Sequence, residues 1–308
     1  LTRGETSNVR PTSTGADTGT PSARTWFITG ANRGLGRAFT VAALAVGDTV
    51  VATARDPRSM SDLAEERLTV LPLDVRDREQ VFATVAKAFD VTGRIEVLVN
   101  NAGYGLVGAL EELTETQIRD QMDTNFYGAL WVSQAALPHL RAQGSGHIVQ
   151  ISTVGAVGSL PLFSMYNASK WALEGFSASL ADELRPFGIK VTLAQMGGFD
   201  TDWAKSSMKF AEAVPAYSAA REAILGMPDY PDLSALPSTE EASTEPAAEG
   251  EWVEAAPELA AVGLLALVAE PHPPLRKIIG PGAHQMVTMA LDARRQDYLA
   301  DPEFSWPS

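Results

Sequence analysis

The sequence predicts a doubly wound α/β fold: one parallel sheet flanked by helices on both faces, in a single domain. Three observations point to it. Short, β-rich apolar runs alternate along the chain with longer stretches of helical periodicity. The runs are apolar at successive positions, as expected of strands buried on both faces. The first run leads into a glycine-spaced turn and then a helix. Sheets of this kind bind ligands at the carboxyl ends of their strands, so the useful residues should lie just after each run.

Bulk composition narrows the options. The chain has 308 residues, 45% of them apolar, enough for one sizeable α/β core. It has no cysteine, which excludes disulfides and cysteine-based metal sites and fits a reducing compartment. A net charge of −14 and the lack of a basic stripe argue against nucleic acid and anionic membranes as partners. The longest apolar runs, such as 260–269, are too short to span a bilayer, and residues 1–24 lack the apolar segment of a secretory signal. A soluble cytoplasmic protein is expected. Residues 1–24, rich in Thr, Ser, Gly and Pro, read as a disordered tail, 25–298 as the folded domain and 299–308 as a C-terminal tail. A second biased segment, 228–257, is acidic without a Lys or Arg. It reads as a solvated insertion, or as a flap whose Tyr230, Leu233, Leu236 and Trp252 touch apolar ligand.

Taken in order, the first strand is "TWFIT" (25–29), followed by "GANRGLG" and a helix over 34–46. Gly30, Gly34 and Gly36 let the backbone turn tightly against a pyrophosphate at the helix N-terminus. Asn32, Arg33 and Leu35 share that turn. The second strand, 49–54, ends "ATARDP". An NAD site usually carries an acidic residue about 20 positions after the glycines. Here Asp56 precedes Pro57 and reads as a helix cap. Arg33 and Arg55 suit a 2′-phosphate instead, so NADP(H) is favoured, with NAD(H) as the alternative. The third strand, 68–73, ends at Asp74 and Val75; Asp74 either accepts from an adenine amino group or caps the next helix, 77–91. The fourth, 95–100, runs into "NNAG", where Asn100 and Asn101 can close local Asx-type bonds and Ala102 and Gly103 leave room for a flat ligand. A helix over 114–141 carries Asn125.

The fifth strand, 147–152, ends at Ser152 and Thr153, and a helix over 164–186 carries Tyr166 and Lys170. At i and i+4 these two share a helix face. A free tyrosine titrates near 10, too high for efficient proton exchange, and a neighbouring ammonium lowers that value. Such a pair can donate a proton to a carbonyl oxygen or take one from an alcohol. The sixth strand, 189–195, leads to a loop with Met196, Gly197, Gly198, Phe199 and Thr201.

"TGANRGLG", "NNAG", Asn125, a hydroxyl upstream and "YNASK" occur in order, each after the expected element. Here the chain resembles the short-chain dehydrogenase/reductase family, over about 25–225 and again at 256–290. The resemblance implies a Rossmann-type fold, with "PPLRKIIGPGA" supplying a last strand. It implies Tyr166 as general acid/base, and Lys170 binding the nicotinamide ribose and lowering the tyrosine pKa. Asn125 would hold a water in a proton relay. Asp74 and Val75 would flank the adenine, Asn101 to Gly103 would line the cofactor, and no metal would be needed. Two departures stand out. The family's usual serine, thirteen residues before the tyrosine, is Thr153, with Ser152 expected to face away. The family's usual Pro-Gly after the sixth strand is Met196-Gly197.

The expected activity is an NADP(H)-dependent interconversion of a carbonyl and an alcohol on a small apolar substrate. A lid over 200–230 would supply Trp203, Met208, Phe210, Tyr217 and Met227. The Ala- and Arg-rich, Lys-poor composition suits a GC-rich bacterial source and makes a polyketide-like carbonyl of secondary metabolism one candidate. By analogy the helices 114–141 and 164–186 would pair subunits into a homodimer or homotetramer. Two other readings stay open: a cyclase, lyase or epimerase on the same fold, and a cofactor-sensing binding protein.

Overall fold

The first strand, β1 (Thr25–Ile28), shows how the sheet is covered. Side chains on a strand alternate between faces. Trp26 and Ile28 enter one apolar cluster, and Phe27, between them, enters another; all three are fully buried. Neither face of this strand meets water, which is why its sequence is continuously apolar. The computed structural model describes residues 23–200, 208–231 and 255–306.

Six further strands complete the main sheet: β2 (Thr49–Ala54), β3 (Leu68–Pro72), β4 (Val97–Asn100), β6 (Gly146–Thr153), β7 (Ile189–Met196) and β9 (Arg276–Ile279). Their order is β3-β2-β1-β4-β6-β7-β9, and every pairing is parallel. The winding reverses between β1 and β4, the position at which doubly wound sheets open a crevice. Helices α1 (Gly34–Ala45) and α7 (Pro257–Ala269) pack on one face. Helices α2 (Arg78–Thr92), α4 (Gly128–Gln143) and α5 (Ser164–Leu184) pack on the other. Each fully buried large aliphatic side chain on these faces contributes about 1.5–3 kcal/mol of transfer free energy, set against the entropy of ordering it.

The expected helix over 114–141 is a composite. Helix α3 (Glu115–Met122) starts at a reciprocal cap between Thr114 and Gln117. It passes through a π-helical stretch, Asp123–Tyr127, before α4 begins. A π-helical stretch re-aims side chains within a helical run, and this one contains Asn125.

A small second layer sits over the carboxyl ends of the strands. Strand β5 (Leu106–Val107) pairs in parallel with β8 (Lys209–Phe210), and helix α6 (Ser218–Leu225) follows. Met208, Phe210, Tyr217, Ile224, Leu225 and Tyr230 close a cluster with Val107, Ala109 and Leu162. Helix α8 (Ala283–Leu299) ends the fold, and residues after it turn back so that Phe304 contacts Tyr298 and Arg295 lies over the Trp306 ring. Among the described residues no helix is long and apolar enough to cross a membrane. The tail expected over 1–24 lies almost wholly outside the described residues, as do Thr201, Trp203, Leu233, Leu236, Trp252 and most of 228–257.

Candidate functional site

The loop after β1 reverses at Gly30, which has φ +63° and so occupies a backbone region costly for other residues. A side chain at Gly36 would start 2.3 Å from the Gly30 carbonyl oxygen, so helix α1 can approach the turn only because this residue is glycine. Arg33 is the N-cap of α1, in extended conformation, and its side chain makes no cap hydrogen bond. The first-turn N–H groups therefore face the crevice with the favourable end of the helix dipole.

Asn101 holds this turn to β4. Its Nδ2 donates to the carbonyls of Thr29 and Gly30 at 2.9 and 3.1 Å. Its backbone N–H and that of Ala102 both donate to the Thr29 hydroxyl at 3.0 Å. Asn100 donates from Nδ2 to the Ala129 carbonyl and to Ser133 Oγ. The local Asx bonds expected for this pair do not form. Both amides span to distant elements, because strand ends in a parallel sheet must be tied to their neighbours.

A cavity of about 460 Å³ opens above these strand ends. The proposed cofactor residues Gly30, Asn32, Arg33, Gly34, Leu35, Arg55, Asp74, Val75, Asn101, Ala102, Gly103, Gly197 and Phe199 line it, together with Thr153, Tyr166 and Lys170. Gly36 and Asn125 sit behind its wall, and Thr201 is outside the described residues. Tyr104, Arg76, Asp120 and Lys209 also line the cavity and were not singled out from sequence. Lys209 lies 4.6 Å from the centroid of the Tyr104 ring, a contact made by the β5–β8 pairing, and no local pattern encodes it.

Asp56 caps the short helix that follows it, accepting from the Arg58 N–H, and pairs with the Arg58 guanidinium. Asp74 does not cap α2; Asp77 does, accepting from Gln80 N at 3.0 Å. The Arg76 guanidinium beside Asp74 holds its carboxyl below the usual range despite partial burial.

The acid end assembles from β6 and α5. Thr153, the last residue of β6, hydrogen-bonds to the Tyr166 phenol and accepts from Gly155 N at 3.2 Å. Ser152 points the other way and donates to the buried Glu174 carboxylate at 2.8 Å. Lys170 Nζ donates to the Ile151 carbonyl at 2.8 Å. The expected lowering of the tyrosine pKa is not what the structure has. Burial pushes the Tyr166 phenol up to about 12, against the Thr153 hydroxyl, which favours the phenolate. Burial also pushes the Lys170 ammonium down to about 8, and the Glu174 charge resists this. Tyr166 is half-buried and Lys170 buried, and for each the desolvation of its charged form outweighs its local partners.

Asn125 is fully enclosed. Its Oδ1 accepts from Tyr104 N at 3.0 Å, and its Nδ2 donates to the Tyr104 carbonyl and to Ser169 Oγ at 2.9 and 3.1 Å. Both amide hydrogens are thus committed, and Oδ1 keeps one acceptor site. Gly103 separates it from the cavity: a side chain there would start 3.1 Å from Asn125 Oδ1 and 3.6 Å from Lys170 Nζ. Met196 extends β7 opposite Thr153 and Ile279, and its side chain joins the core. Of the residues expected to line an apolar pocket, Met208, Phe210, Tyr217 and Met227 do not line this cavity, and Trp203 lies outside the described residues. Met208, Phe210 and Tyr217 pack within a cluster of their own, and Met227 is exposed.

Comparison with known proteins agrees with this geometry. The family described as short chain dehydrogenase matches residues 24–212. Oxidoreductase BOA17 of Botryotinia fuckeliana (strain B05.10) is 39% identical over 271 residues, 87% of this chain and 92% of that protein. A short-chain dehydrogenase structure from Streptomyces avermitilis superposes with TM-score 0.76 at 36% identity, covering 91% of this chain and 96% of that one. Two more distant structures share the fold. One, from Burkholderia cenocepacia J2315, is in complex with NADP (TM-score 0.66, 23% identity, 92% and 98% coverage). The other, from Burkholderia phymatum, is in complex with NAD (TM-score 0.71, 20% identity, 93% and 98% coverage). With a family match over more than half its length and close likeness to an oxidoreductase along nearly all of it, this chain belongs to the short-chain dehydrogenase/reductase family of oxidoreductases.

Proposed function

We propose that the protein interconverts a carbonyl and an alcohol on a small substrate, with NADP(H) as cofactor and Tyr166 as general acid/base. The observation that carries this reading is the meeting of Thr153, Tyr166 and Lys170 in the same cavity as the Gly30–Leu35 turn. The residues present fit a dinucleotide. Gly30 and Gly36 let the turn and helix α1 close tightly on one another and on Ala102 and Asn101, and the N-terminus of α1 at that turn suits a pyrophosphate. Arg33 and Arg55 line the cavity where a 2′-phosphate would sit, while Asp56 is committed to Arg58. Asp74 and Val75 suit the adenine edge, and Lys170 the nicotinamide ribose. A bound nicotinamide supplies or accepts the hydride at the substrate carbon.

The chain's own residues handle the oxygen. The Tyr166 hydroxyl gives its proton to the carbonyl oxygen during reduction and takes it back during oxidation. Thr153, donating to the phenolate, and Lys170, as a cation one helical turn away, make that exchange less costly. Ile151, Met196, Phe199 and the Tyr104 ring give the cavity apolar wall, which suits an apolar flank on the substrate.

Screening carbonyls and alcohols with NADPH and NADH, read by nicotinamide absorbance, tests the reading. Tyr166→Phe should lower kcat/KM by about 10²–10⁴-fold while leaving NADPH binding intact. Full turnover by that variant would overturn the role of Tyr166. Conversion without any change in nicotinamide absorbance would point to a non-redox reaction instead. Equal or tighter binding of NADH would overturn the cofactor preference. A homodimer or homotetramer is proposed on family analogy, with light scattering as its test.

A further inference from the structure

Glu174 is a buried carboxylate for which the proposed chemistry has no use. It lies on α5 four residues after Lys170 and eight after Tyr166, so all three share one face of the helix. Its residue is 6% exposed, yet both oxygens are engaged. Oε1 accepts from Ser152 Oγ at 2.8 Å and from Gln195 Nε2 at 2.9 Å, and Oε2 accepts from Arg276 Nε at 2.8 Å. These donors stand on β6, β7 and β9, three adjacent strands. Two of the three, Ser152 and Gln195, are next to a residue of the site. Ser152 lies between Ile151, whose carbonyl receives Lys170, and Thr153, which holds Tyr166. Gln195 precedes Met196 and pairs in register with Ser152.

A buried carboxylate with one cationic partner is a costly way to fasten a helix, and an apolar residue would do so at lower cost. Its charge therefore calls for an explanation. Lys170 Nζ donates to the neutral Ile151 carbonyl, and Asn125 and Gly103, which face it from the π-helical stretch and the β4 loop, are neutral. Tyr166 faces it from its own helix. Among the described residues, Glu174 is the charged side chain that acts on it.

We propose that Glu174 is a positioning residue for Lys170: anchored by Ser152, Gln195 and Arg276, it fixes α5 on the sheet and holds a negative charge one turn behind the ammonium, keeping Lys170 protonated at working pH. The inference rests on the proposed roles of Tyr166 and Lys170, but its first readout does not involve catalysis. Burial pushes Lys170 down to about 8 even with the Glu174 charge opposing it, so loss of that charge should leave the ammonium less secure near neutrality. Arg276 tempers that charge from the far side.

The test is a ¹³C-lysine NMR titration of the free protein, with the Lys170 resonance assigned by its loss in Lys170→Met. The pH profile of kcat/KM is measured alongside. Glu174→Gln should move the Lys170 titration about one pH unit lower, and the alkaline limb of kcat/KM with it. Glu174→Asp should restore most of the shift. Arg276→Gln, which leaves the carboxylate and removes the cation, should move the titration upward, and it keeps the test open if Glu174→Gln fails to fold. A purely structural Glu174 predicts lost stability in both variants with no movement of the titration. An unmoved Lys170 resonance in Glu174→Gln, or an unmoved or lower one in Arg276→Gln, overturns the inference. A resonance that moves while the alkaline limb stays fixed supports Glu174 acting on Lys170 and overturns the proposed catalytic role of Lys170.

Discussion

Thr153 and Ser152 are adjacent hydroxyls with opposite fates. Strand alternation puts the first in the cavity beside Tyr166 and turns the second inward to Glu174. Counting back from the tyrosine separates them in the sequence, because a strand's period is fixed. The destination of Ser152 is a different matter, since Glu174 becomes its partner only when α5 docks on β6. His147 shows a second residue-scale consequence of docking. It is 6% exposed, its Nε2 lies 2.9 Å from Thr192 Oγ1, and burial, with Lys190 and Arg24 nearby, pushes its pKa from 6.5 to about 4. The unfolded chain then binds the extra proton between those values, so this contribution to stability is complete above about 6.5 and is lost as pH falls toward about 4. Over that window the advantage of the wild type over His147→Asn in urea denaturation should shrink, by on the order of 3 kcal/mol at most. A pH-independent difference would show that His147 takes up its proton alike in the folded and unfolded chain.

At the scale of elements, the layer formed by β5, β8 and α6 is held by a buried ion pair. Glu112, in the turn after β5, pairs with Arg221 on α6, and neither side chain is more than 1% exposed. Glu112 also accepts from the N–H groups of Ala109 and Val214 at 2.8 and 2.9 Å and from the Tyr230 hydroxyl. Arg221 also donates to the carbonyls of Pro228 and Val214 at 2.6 and 3.0 Å. Burial alone would raise the Glu112 carboxyl, but Tyr230, the two N–H groups and Arg221 outweigh it and hold it low. Arg221→Ala leaves Glu112 buried and unpaired, a change that costs about 3–5 kcal/mol in such pairs. Hydrogen exchange should accelerate in β8 and α6 well before the main sheet opens. Equal protection in the variant would show that the apolar cluster alone holds this layer. Periodicity could not announce this element: β5 and β8 have two residues each, and their partners are about a hundred positions apart in the chain.

Across the whole molecule, a chain of net charge −14 gathers Arg33, Arg55, Arg76 and Lys209 around one cavity. Arg76 is neutralised by Asp74 and Asp120. Arg55 faces the cavity with no ion pair among the described residues. Such a local positive field in an acidic protein is screened over about 10 Å at 0.1 M salt. Affinity for NADPH should therefore fall more steeply with salt than affinity for NADH, and Arg55→Ser should remove most of the difference. Parallel salt dependences in a fluorescence titration would take Arg55 out of cofactor selection.

What the sequence by itself determined is the architecture and the set of candidate site residues. Continuous apolar strands, the glycine turn, and Tyr166 with Lys170 at i and i+4 are local patterns, and each of the six sheet strands read from them forms within two residues of its expected bounds. Only the tertiary structure decided what surrounds those residues. It put Lys170 on the Ile151 carbonyl, enclosed Asn125 behind Gly103, set Glu174 beneath the lysine and drew Phe210, Tyr217 and Tyr230 into a cluster of their own. The physical reason is that secondary structure answers to spacing within a dozen residues, whereas desolvation and pairing depend on which distant elements meet. The raised phenol of Tyr166 and the lowered ammonium of Lys170 are consequences of burial, which exists only once β6, β7 and α5 have packed.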